Sequence, residues 1–305
     1  MPYNAVVPYD AADTRRAGPD ALPRDLAEAI AGARDRLGRV GSHVLFFPSI
    51  GSTNDVALTL AGRGDREGAV VIAGEQTAGR GRRGHGWFSP PGSGLYVSVV
   101  LAPGRARVDP DRASTLLTLM AGVALAEGIE AATGLRVDIK WPNDLLVSRR
   151  KLAGILAEGV SAGNSGRSVP DTRDRRDADD APRRLFDIVL GYGINVASTA
   201  YPPELGDRAT SLERELGRTV DRAALCIETL AALAGRYGDL LDDGFDAILD
   251  AWRRRAPGSR GARVTWRAAA GMQTGVTAGI DSRGALLVRV DDRVERMTAG
   301  ELTWS

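Results

Sequence analysis

Short apolar runs, each about the length of a β-strand, recur between residues 44 and 190 and alternate with segments of helical periodicity. The predicted strands cover 44–47, 70–73, 95–101, 137–141, 145–147, 152–156 and 186–190. Helical periodicity returns at about 221–238 and 243–254, where apolar residues recur every three or four positions. This alternation predicts a sheet flanked by helices.

The two ends of the chain follow different patterns. Residues 1–20 contain three prolines and few large apolar groups, which predicts a mobile tail, and residues 22–38 form at most one short helix. After Pro257, short strands and turn residues predict a small β-barrel of about 48 residues. We therefore expect an N-terminal tail and helix over 1–39, a main domain over 40–257 and a C-terminal domain over 258–305.

Composition excludes several classes of site. The net charge is +1, so the chain has no overall basic bias toward nucleic acid. Cys226 is the single cysteine and there are two histidines, so neither an intrachain disulfide nor a Cys/His zinc site is expected. No apolar run approaches the length of a membrane span. Residues 161–184 hold six arginines and five aspartates and predict a disordered loop between two strands.

Lysine is rare in this chain. Of 40 basic residues only Lys140 and Lys151 are lysine, and they flank the run Trp141-Pro142-Asn143-Asp144. Arginine is a planar fork, whereas lysine is a compact point charge on a flexible stem. The spacing therefore indicates a site that needs an ammonium against an anion, although chance proximity remains the alternative.

Four glycines alternate with basic residues between Gly79 and Trp87. Glycine lets backbone N–H groups approach an anion closely, and arginine adds charge-assisted hydrogen bonds to phosphate or carboxylate. We predict a loop that is disordered when empty and closes over an anionic ligand, with Trp87 stacking on a flat ring or packing beneath the loop. The alternative interpretation is a solvated basic linker that binds RNA weakly.

Three polar or small-residue segments are candidates for ligand binding, and structural alternatives exist for two of them. Ser52-Thr53-Asn54-Asp55 opens a helix, where it either caps the helix or binds a small polar head group. Lys140 lies at a strand end, and Asp144 either organises a metal–phosphate group, anchors Lys140 or closes an Asx turn. The small residues of 191–196 would let a ligand ring approach the end of a strand.

Five segments together resemble the signature of the biotin protein ligases. They are Ser52-Thr53-Asn54, Gly79-Arg80-Gly81-Arg82-Arg83-Gly84, Lys140-Trp141-Pro142-Asn143-Asp144, Lys151-Leu152-Ala153-Gly154-Ile155-Leu156 and Gly191-Tyr192-Gly193-Ile194-Asn195-Val196. They occur in the family's order, and the resemblance covers residues 44–305. It implies an α+β fold: a biotin- and ATP-binding catalytic domain similar to class II aminoacyl-tRNA synthetases, with a mixed central sheet flanked by helices, followed by an SH3-like β-barrel.

The resemblance also implies site roles. Biotin would be bound by Ser52, Thr53, Asn54, Gln76, Gly79, Arg80, Gly81, Arg82 and Lys140. ATP and the adenylate would be bound by Arg82, Arg83, His85, Trp87, Lys140, Asn143, Gly191, Gly193 and Asn195. Lys140 and Arg82 would be the catalytic pair, and Asp144 would be the candidate for Mg²⁺. His85 stands where the bifunctional bacterial enzyme has an arginine, so loop closure is expected to depend on pH.

The implied reaction is ATP-dependent attachment of biotin, through biotinyl-5′-adenylate, to a lysine of the biotin carboxyl carrier protein domain of acyl-CoA carboxylases. We expect a cytoplasmic enzyme, either monomer or homodimer, without membrane association. We expect no DNA binding, because residues 1–39 leave no room for a winged helix-turn-helix domain. The alternatives are a lipoate-type ligase or octanoyl transferase, a biotin-sensing transcription regulator, and a nucleotide-binding module that binds ATP without biotin.

Overall fold

The computed structural model describes residues 18–63, 67–160, 187–268, 271–300 and 302–304. The predicted insertion at 161–184, and most of the predicted N-terminal tail, lie outside the described residues. The helices are α1 Arg24–Gly32, α2 Arg34–Leu37, α3 Thr53–Ala61, α4 Pro110–Thr133, α5 Leu212–Leu216, α6 Arg222–Leu241 and α7 Phe245–Arg255. The first seven strands are β1 His43–Phe47, β2 Ala69–Ala73, β3 Gly94–Leu101, β4 Asp138–Lys140, β5 Asp144–Val147, β6 Arg150–Gly159 and β7 Ile188–Asn195. The last five are β8 Arg260–Ala268, β9 Gly271–Ile280, β10 Leu286–Val290, β11 Arg293–Met297 and β12 Thr303–Trp304.

Strands β1 to β7 form one mixed sheet in the order β1-β2-β3-β7-β6-β5-β4. Only β1 and β2 pair in parallel; the other neighbours are antiparallel. Helices α4 and α6 pack over one face and α3 over the other. The predicted α+β fold with a mixed central sheet is therefore confirmed. Strand β7 extends five residues beyond the predicted run, to Asn195, because the small residues after Leu190 continue the same register with β3 and β6.

Helix α4 shows how local sequence defines one element. Asp109 accepts a hydrogen bond from the Arg112 backbone N–H at 2.8 Å, Pro110 occupies the first turn, and Gly134 ends the helix with φ of 78°. Contrary to the expectation from the sequence, this helix is long and apolar enough to cross a membrane by length and composition alone. However, 67 % of its most apolar window is buried inside the fold, so its apolar character is explained by packing against the sheet.

The N-terminal segment has more structure than the sequence predicted. Instead of one short helix, α1 and α2 meet at Ala33 and pack against α6. Leu26 and Leu37 are buried in the same core cluster as the central sheet, and Arg36 pairs with Glu228 of α6 through two bonds of 2.8 and 2.6 Å. The boundary at residue 39 remains a prediction.

Strands β8 to β12 form a five-stranded antiparallel sheet in the order β11-β10-β9-β8-β12. The sequence predicted three of these strands and missed β11 and β12, which contain few apolar residues. This second sheet shares the main core cluster, and Trp141 of the first domain donates from its indole N–H to the Gly284 carbonyl at 3.1 Å. We propose that 258–305 is the SH3-like unit implied by the resemblance.

Candidate functional site

Glycines of β6 and β7 form a row on the α3 face of the central sheet; this row and the side chains that lie over it are called the trough below. Gly191 and Gly193 of β7 point to this face, and Gly154 of β6 lies directly opposite Gly193. A Cβ at Gly191 would lie 2.0 Å from Asn54 Oδ1, and one at Gly193 would lie 2.3 Å from Trp87 Nε1. These glycines therefore make room for the Asn54 amide and the Trp87 indole.

One end of the trough is a buried polar pocket at the start of α3. Thr53 donates to Gln76 Oε1 from both its backbone N–H, at 2.9 Å, and its hydroxyl, at 3.1 Å. The Ser98 hydroxyl lies 2.7 Å from Thr53 Oγ1 and donates to Asn54 Oδ1 at 2.6 Å. Ser52 occupies the N-cap position but makes no side-chain capping bond. The simple capping interpretation is therefore not realised, and Ser52, Thr53 and Asn54 are buried polar groups.

The glycine–arginine segment is a short hairpin. Gly81 donates to the His85 carbonyl at 2.7 Å, and Trp87 donates to the Gly79 carbonyl at 2.8 Å. The turn requires left-handed backbone at Arg83 and Gly84, with φ of 57° and 79°. These cross-hairpin bonds satisfy the backbone of the segment, and its disorder in the absence of ligand stays a prediction. Arg83 and His85 lie exposed at the hairpin tip.

The two remaining arginines of the hairpin contact different elements. Arg82 donates from Nη1 to Asn143 Oδ1 at 3.1 Å. Asn143 is itself fixed to β6, since its amide donates to the Ile155 carbonyl at 2.7 Å. Arg80 instead lies between two carboxylates, with Nη2 at 2.8 Å from both Asp55 Oδ1 and Glu158 Oε2. Arg80 thus links the hairpin to α3 and β6 through ion pairs, whereas the resemblance implied a contact with biotin.

The pKa of Asp55 in this group of three charges is set mainly by burial. Burial raises the pKa of the Asp55 carboxyl, the Arg80 guanidinium counteracts that rise, and the neighbouring Glu158 charge adds to it. Two carboxylates on one guanidinium leave the group with a net negative charge, so Arg80 has little positive charge left to offer an anionic ligand. The free anion-binding capacity of the trough lies elsewhere.

Both lysines lie beside the trough, in different surroundings. Lys151 Nζ is 2.7 Å from Asp144 Oδ1 and 5.3 Å from the centre of a Trp87 ring. Lys140 is paired across β4–β5 with Asp144, and its Nζ is 6.0 Å from the centre of a Trp304 ring. Asp144 therefore forms an ion pair with Lys151, a partner that was not among the alternatives predicted from the sequence.

Lys151 is the functional candidate that the sequence-based list of site residues omitted. The available signal was lysine scarcity, which marks Lys151 as strongly as Lys140. Lys151 was not predicted as a site residue because it directly precedes an ordinary predicted strand, 152–156. The β5–β6 pairing turns its side chain onto the same face as Trp87, where Gly154 leaves space for both.

Asn195 closes the far end of the trough. Its side chain is buried, and Nδ2 donates to the Thr210 carbonyl at 3.0 Å. Thr210 in turn donates to the Lys151 carbonyl at 2.9 Å, and Lys151 donates to the Arg208 carbonyl at 2.8 Å. The connection before α5 is thereby held beside Lys151.

A cavity of about 250 Å³ opens on the opposite side of Pro142, between α4, β6 and the C-terminal sheet. Within the described residues its lining includes two guanidinium groups and three hydroxyls and no carboxylate. These groups belong to Arg82, Arg283, Thr115, Thr118 and Thr298. The cavity is therefore suited to an anion and adjoins the trough at Arg82.

No cluster of three metal-ligating side chains occurs among the residues that the structure describes. Asp144, the candidate from the sequence, already has Oδ1 occupied by Lys151. The donor set does not form a resident protein site for a divalent cation, since Mg²⁺ prefers six oxygen ligands.

Residues 46–168, which include the start of α3 and the hairpin, match the family model described as "Biotin/lipoate A/B protein ligase family". The bifunctional ligase/repressor BirA of Bacillus spizizenii is 35 % identical over 265 residues, which is 86 % of this chain and 74 % of that protein. The biotin–[acetyl-CoA-carboxylase] ligase of Paracoccus denitrificans is 34 % identical over 244 residues, 78 % of this chain and 90 % of that protein.

Among solved structures, biotin protein ligase from Aquifex aeolicus in complex with biotin and ATP has the same fold. The TM-score is 0.66 at 23 % identity, over 87 % of this chain and 99 % of that one. The chain belongs to the biotin protein ligase family.

Proposed function

We propose that this protein attaches biotin, in an ATP-dependent reaction, to a lysine of biotin carboxyl carrier protein domains. The observation that carries the proposal is the arrangement of the trough: a buried polar pocket at one end, and the Lys151 ammonium beside Trp87 on its glycine floor. A flat, uncharged ring with a carboxylate tail matches that order of groups. The relatives named as biotin ligases support the same substrate.

The ureido ring of biotin would bind at the start of α3. That pocket offers the hydroxyls of Ser52 and Thr53 and the amide of Gln76, which is held by Ser89 at 3.0 Å. A ring with both N–H donors and a carbonyl acceptor needs groups of both kinds, and hydroxyls supply both. The valeryl chain would then run over the glycine floor toward the lysines, in space from which the Trp87 indole would have to move.

In the first step, an oxygen of the biotin carboxylate attacks the α-phosphorus of ATP. The bond from that phosphorus to the bridging oxygen breaks, and pyrophosphate leaves with the electron pair. Negative charge on the α-phosphoryl group would be stabilised by Lys140, Lys151 and Arg82, since fixed positive groups are most effective in a site shielded from water. Asn143 would orient Arg82 through their 3.1 Å hydrogen bond.

In the second step, the neutral amine of the carrier lysine attacks the acyl carbon of biotinyl-5′-adenylate. AMP leaves and a proton is released, so no nucleophile on the ligase is needed. Cys226, the single thiol, agrees with this: it is fully buried, and burial raises its pKa to about 12. The hairpin would shield the mixed anhydride from hydrolysis until the acceptor arrives.

The cationic cavity beside Arg82 would take the departing end of the phosphate chain. Its two guanidinium groups and threonine hydroxyls are donors suited to phosphate oxygens. Mg²⁺ would enter as the ATP complex, coordinated mainly by phosphate oxygens, with Asp144 as at most a minor contributor. Adenosine would lie near Asn195 and the connection held against Lys151.

Exchange of labelled pyrophosphate into ATP tests the first step. We expect exchange that requires biotin and is not supported by lipoate or octanoate; exchange with octanoate but not biotin would refute the assignment. Transfer to a purified carrier domain, followed by mass spectrometry, tests the second step. ATP binding without any exchange would indicate the nucleotide-binding alternative. A gel shift at low salt with biotin and ATP tests the prediction that the chain does not bind DNA.

A further inference from the structure

Glu158, a residue of β6 outside the five sequence motifs, contacts both the pocket at the start of α3 and the hairpin. One carboxylate oxygen, Oε2, accepts a hydrogen bond from Asn54 Nδ2 at 2.6 Å and another from Arg80 Nη2 at 2.8 Å. Asn54 belongs to the buried pocket, whereas Arg80 belongs to the hairpin. A single oxygen atom therefore links α3 to the hairpin, beside the direct ion pair between Arg80 and Asp55.

On the pocket side, Asn54 has no freedom to change partner. Its Oδ1 accepts from Ser98 at 2.6 Å, and its amide fills the space above Gly191. With Glu158 on Nδ2, both ends of the amide are hydrogen-bonded and the residue is only 4 % exposed. Any shift of Glu158 is therefore transmitted to Asn54, because Asn54 cannot rotate without losing the bond to Ser98.

On the hairpin side, Arg80 attaches the hairpin to β6 through Glu158, and Arg82 forms a second attachment through Asn143. It pairs with Gly86 across the hairpin, so its backbone position is fixed relative to the tip. Its guanidinium has a second carboxylate partner in Asp55 at 2.8 Å. Loss of Glu158 would leave Arg80 with Asp55 alone, so Arg80 would hold the hairpin to α3 and no longer to β6. Arg82, through Asn143, would still link the hairpin to β6.

We propose that Glu158 is a positioning residue that couples occupancy of the head-group pocket to closure of the hairpin. The inference rests on the proposed function, because it concerns the same biotin site. A ligand that orders the start of α3 stabilises the Asn54–Glu158 contact, and the same oxygen then holds Arg80 in the closed arrangement. Glu158 touches no reacting atom in this scheme; it acts through Asn54 and Arg80.

Two substitutions separate its charge from its shape. Glu158→Gln keeps an oxygen acceptor for Asn54 but removes the charge that holds Arg80, whereas Glu158→Ala removes both contacts. Hydrogen bonds to charged groups are worth more than neutral ones, so replacing charge by an amide should weaken the coupling by about tenfold. We expect Glu158→Gln to release biotinyl-adenylate about tenfold faster than wild type in the absence of carrier, with a smaller change in KM for biotin. We expect Glu158→Ala to raise both.

Glu127→Gln is the matched control. Glu127 is 29 % exposed, close to the 28 % of Glu158, and also binds an arginine, at 2.6 Å, but lies on the α4–α6 surface away from the trough. Adenylate release should be unchanged in this control. The inference is overturned if Glu158→Gln retains adenylate as well as wild type, or if Glu127→Gln releases it equally fast.

Hydrogen exchange of the hairpin amides supplies a readout that general loss of stability would not reproduce. In wild type, biotin alone should slow exchange at residues 79–87; in Glu158→Ala that protection should fall while the amides of α6 remain protected. Equal biotin-dependent protection in both proteins would overturn the coupling. If wild type makes no adenylate at all, the proposed function fails rather than this inference.

Discussion

Replacing Gly191, in the floor of the trough, should change the free energy of unfolding by an amount that follows from the structure. In Gly191→Ala the new methyl group would lie 2.0 Å from Asn54 Oδ1 and 2.8 Å from its Cγ, so the Asn54 amide must move. That movement breaks the bond from Ser98 and the bond to Glu158. A neutral hydrogen bond contributes about 0.5–1.5 kcal/mol and one to a charged group about 1.5–3, so the loss is about 2–4.5 kcal/mol.

A gain partly offsets this loss, because replacing glycine by alanine in a strand stabilises by about 0.5–1 kcal/mol. We therefore expect the free energy of unfolding to fall by about 1–4 kcal/mol in urea denaturation. Biotin binding, measured by calorimetry, should weaken in the same variant because Asn54 borders the head-group pocket. Unchanged stability together with unchanged biotin affinity would refute the placement of Asn54 above Gly191.

Alanine substitutions at two other glycines provide stability changes for comparison with Gly191→Ala. Gly235→Ala, in the exposed face of α6 with no atom within 4 Å of the new Cβ, should stabilise by about 0.5–1 kcal/mol. Gly193→Ala would press on Trp87, whose indole N–H has no hydrogen-bond partner among the described residues. That variant loses packing but no hydrogen bond, so it should cost less than Gly191→Ala. A larger cost at Gly193 would contradict the hydrogen-bond accounting.

The lysine pair and one acidic turn give two further predictions. Lys140→Arg and Lys151→Arg should both remain folded but lose most pyrophosphate release, because a planar guanidinium cannot take the place of a compact ammonium. Near-normal turnover in either variant would show that this lysine is not part of the mechanism. At Asp281, burial opposes ionisation, but hydrogen bonds from Arg296 and from two backbone N–H groups lower the pKa overall. A lowered pKa contributes stability that is fully present above the unfolded value of about 3.9 and is lost as the pH falls through the folded pKa. Asp281→Asn should therefore be less stable than wild type at neutral pH, with a difference that shrinks as the pH falls below the unfolded value. A constant difference across pH would contradict this.

Much of the scaffold was readable in the sequence because its signals are local. The start and end of α4 are encoded by Asp109, Pro110 and Gly134, which act on the backbone within one turn. The two strands of the β5–β6 hairpin were predicted as the apolar runs 145–147 and 152–156, and Ser148 and Arg149 between them both have positive φ. By contrast, β11 and β12 carry few apolar residues and were missed, since their pairing depends on neighbouring strands.

The candidate site was also predictable from the sequence only in part. The sequence marked the segments that meet at the trough, including the pocket residues Thr53 and Gln76 and the two lysines. It did not determine which lysine Asp144 binds, nor that Arg80 is held by Glu158, 78 positions further along the chain. The site roles implied by the resemblance remain predictions until the variants above are measured.

The sequence by itself determined where strands, helices and chemically distinctive residues occur, because periodicity, capping and composition act over a few neighbouring positions. Only the tertiary structure decided the partners of those residues. Strand register turns Lys151 and Glu158 onto the same face as Asn54 and Trp87, and the antiparallel order β3-β7-β6 brings together residues about a hundred positions apart. Those contacts depend on how the sheet assembles, and no local pattern specifies them.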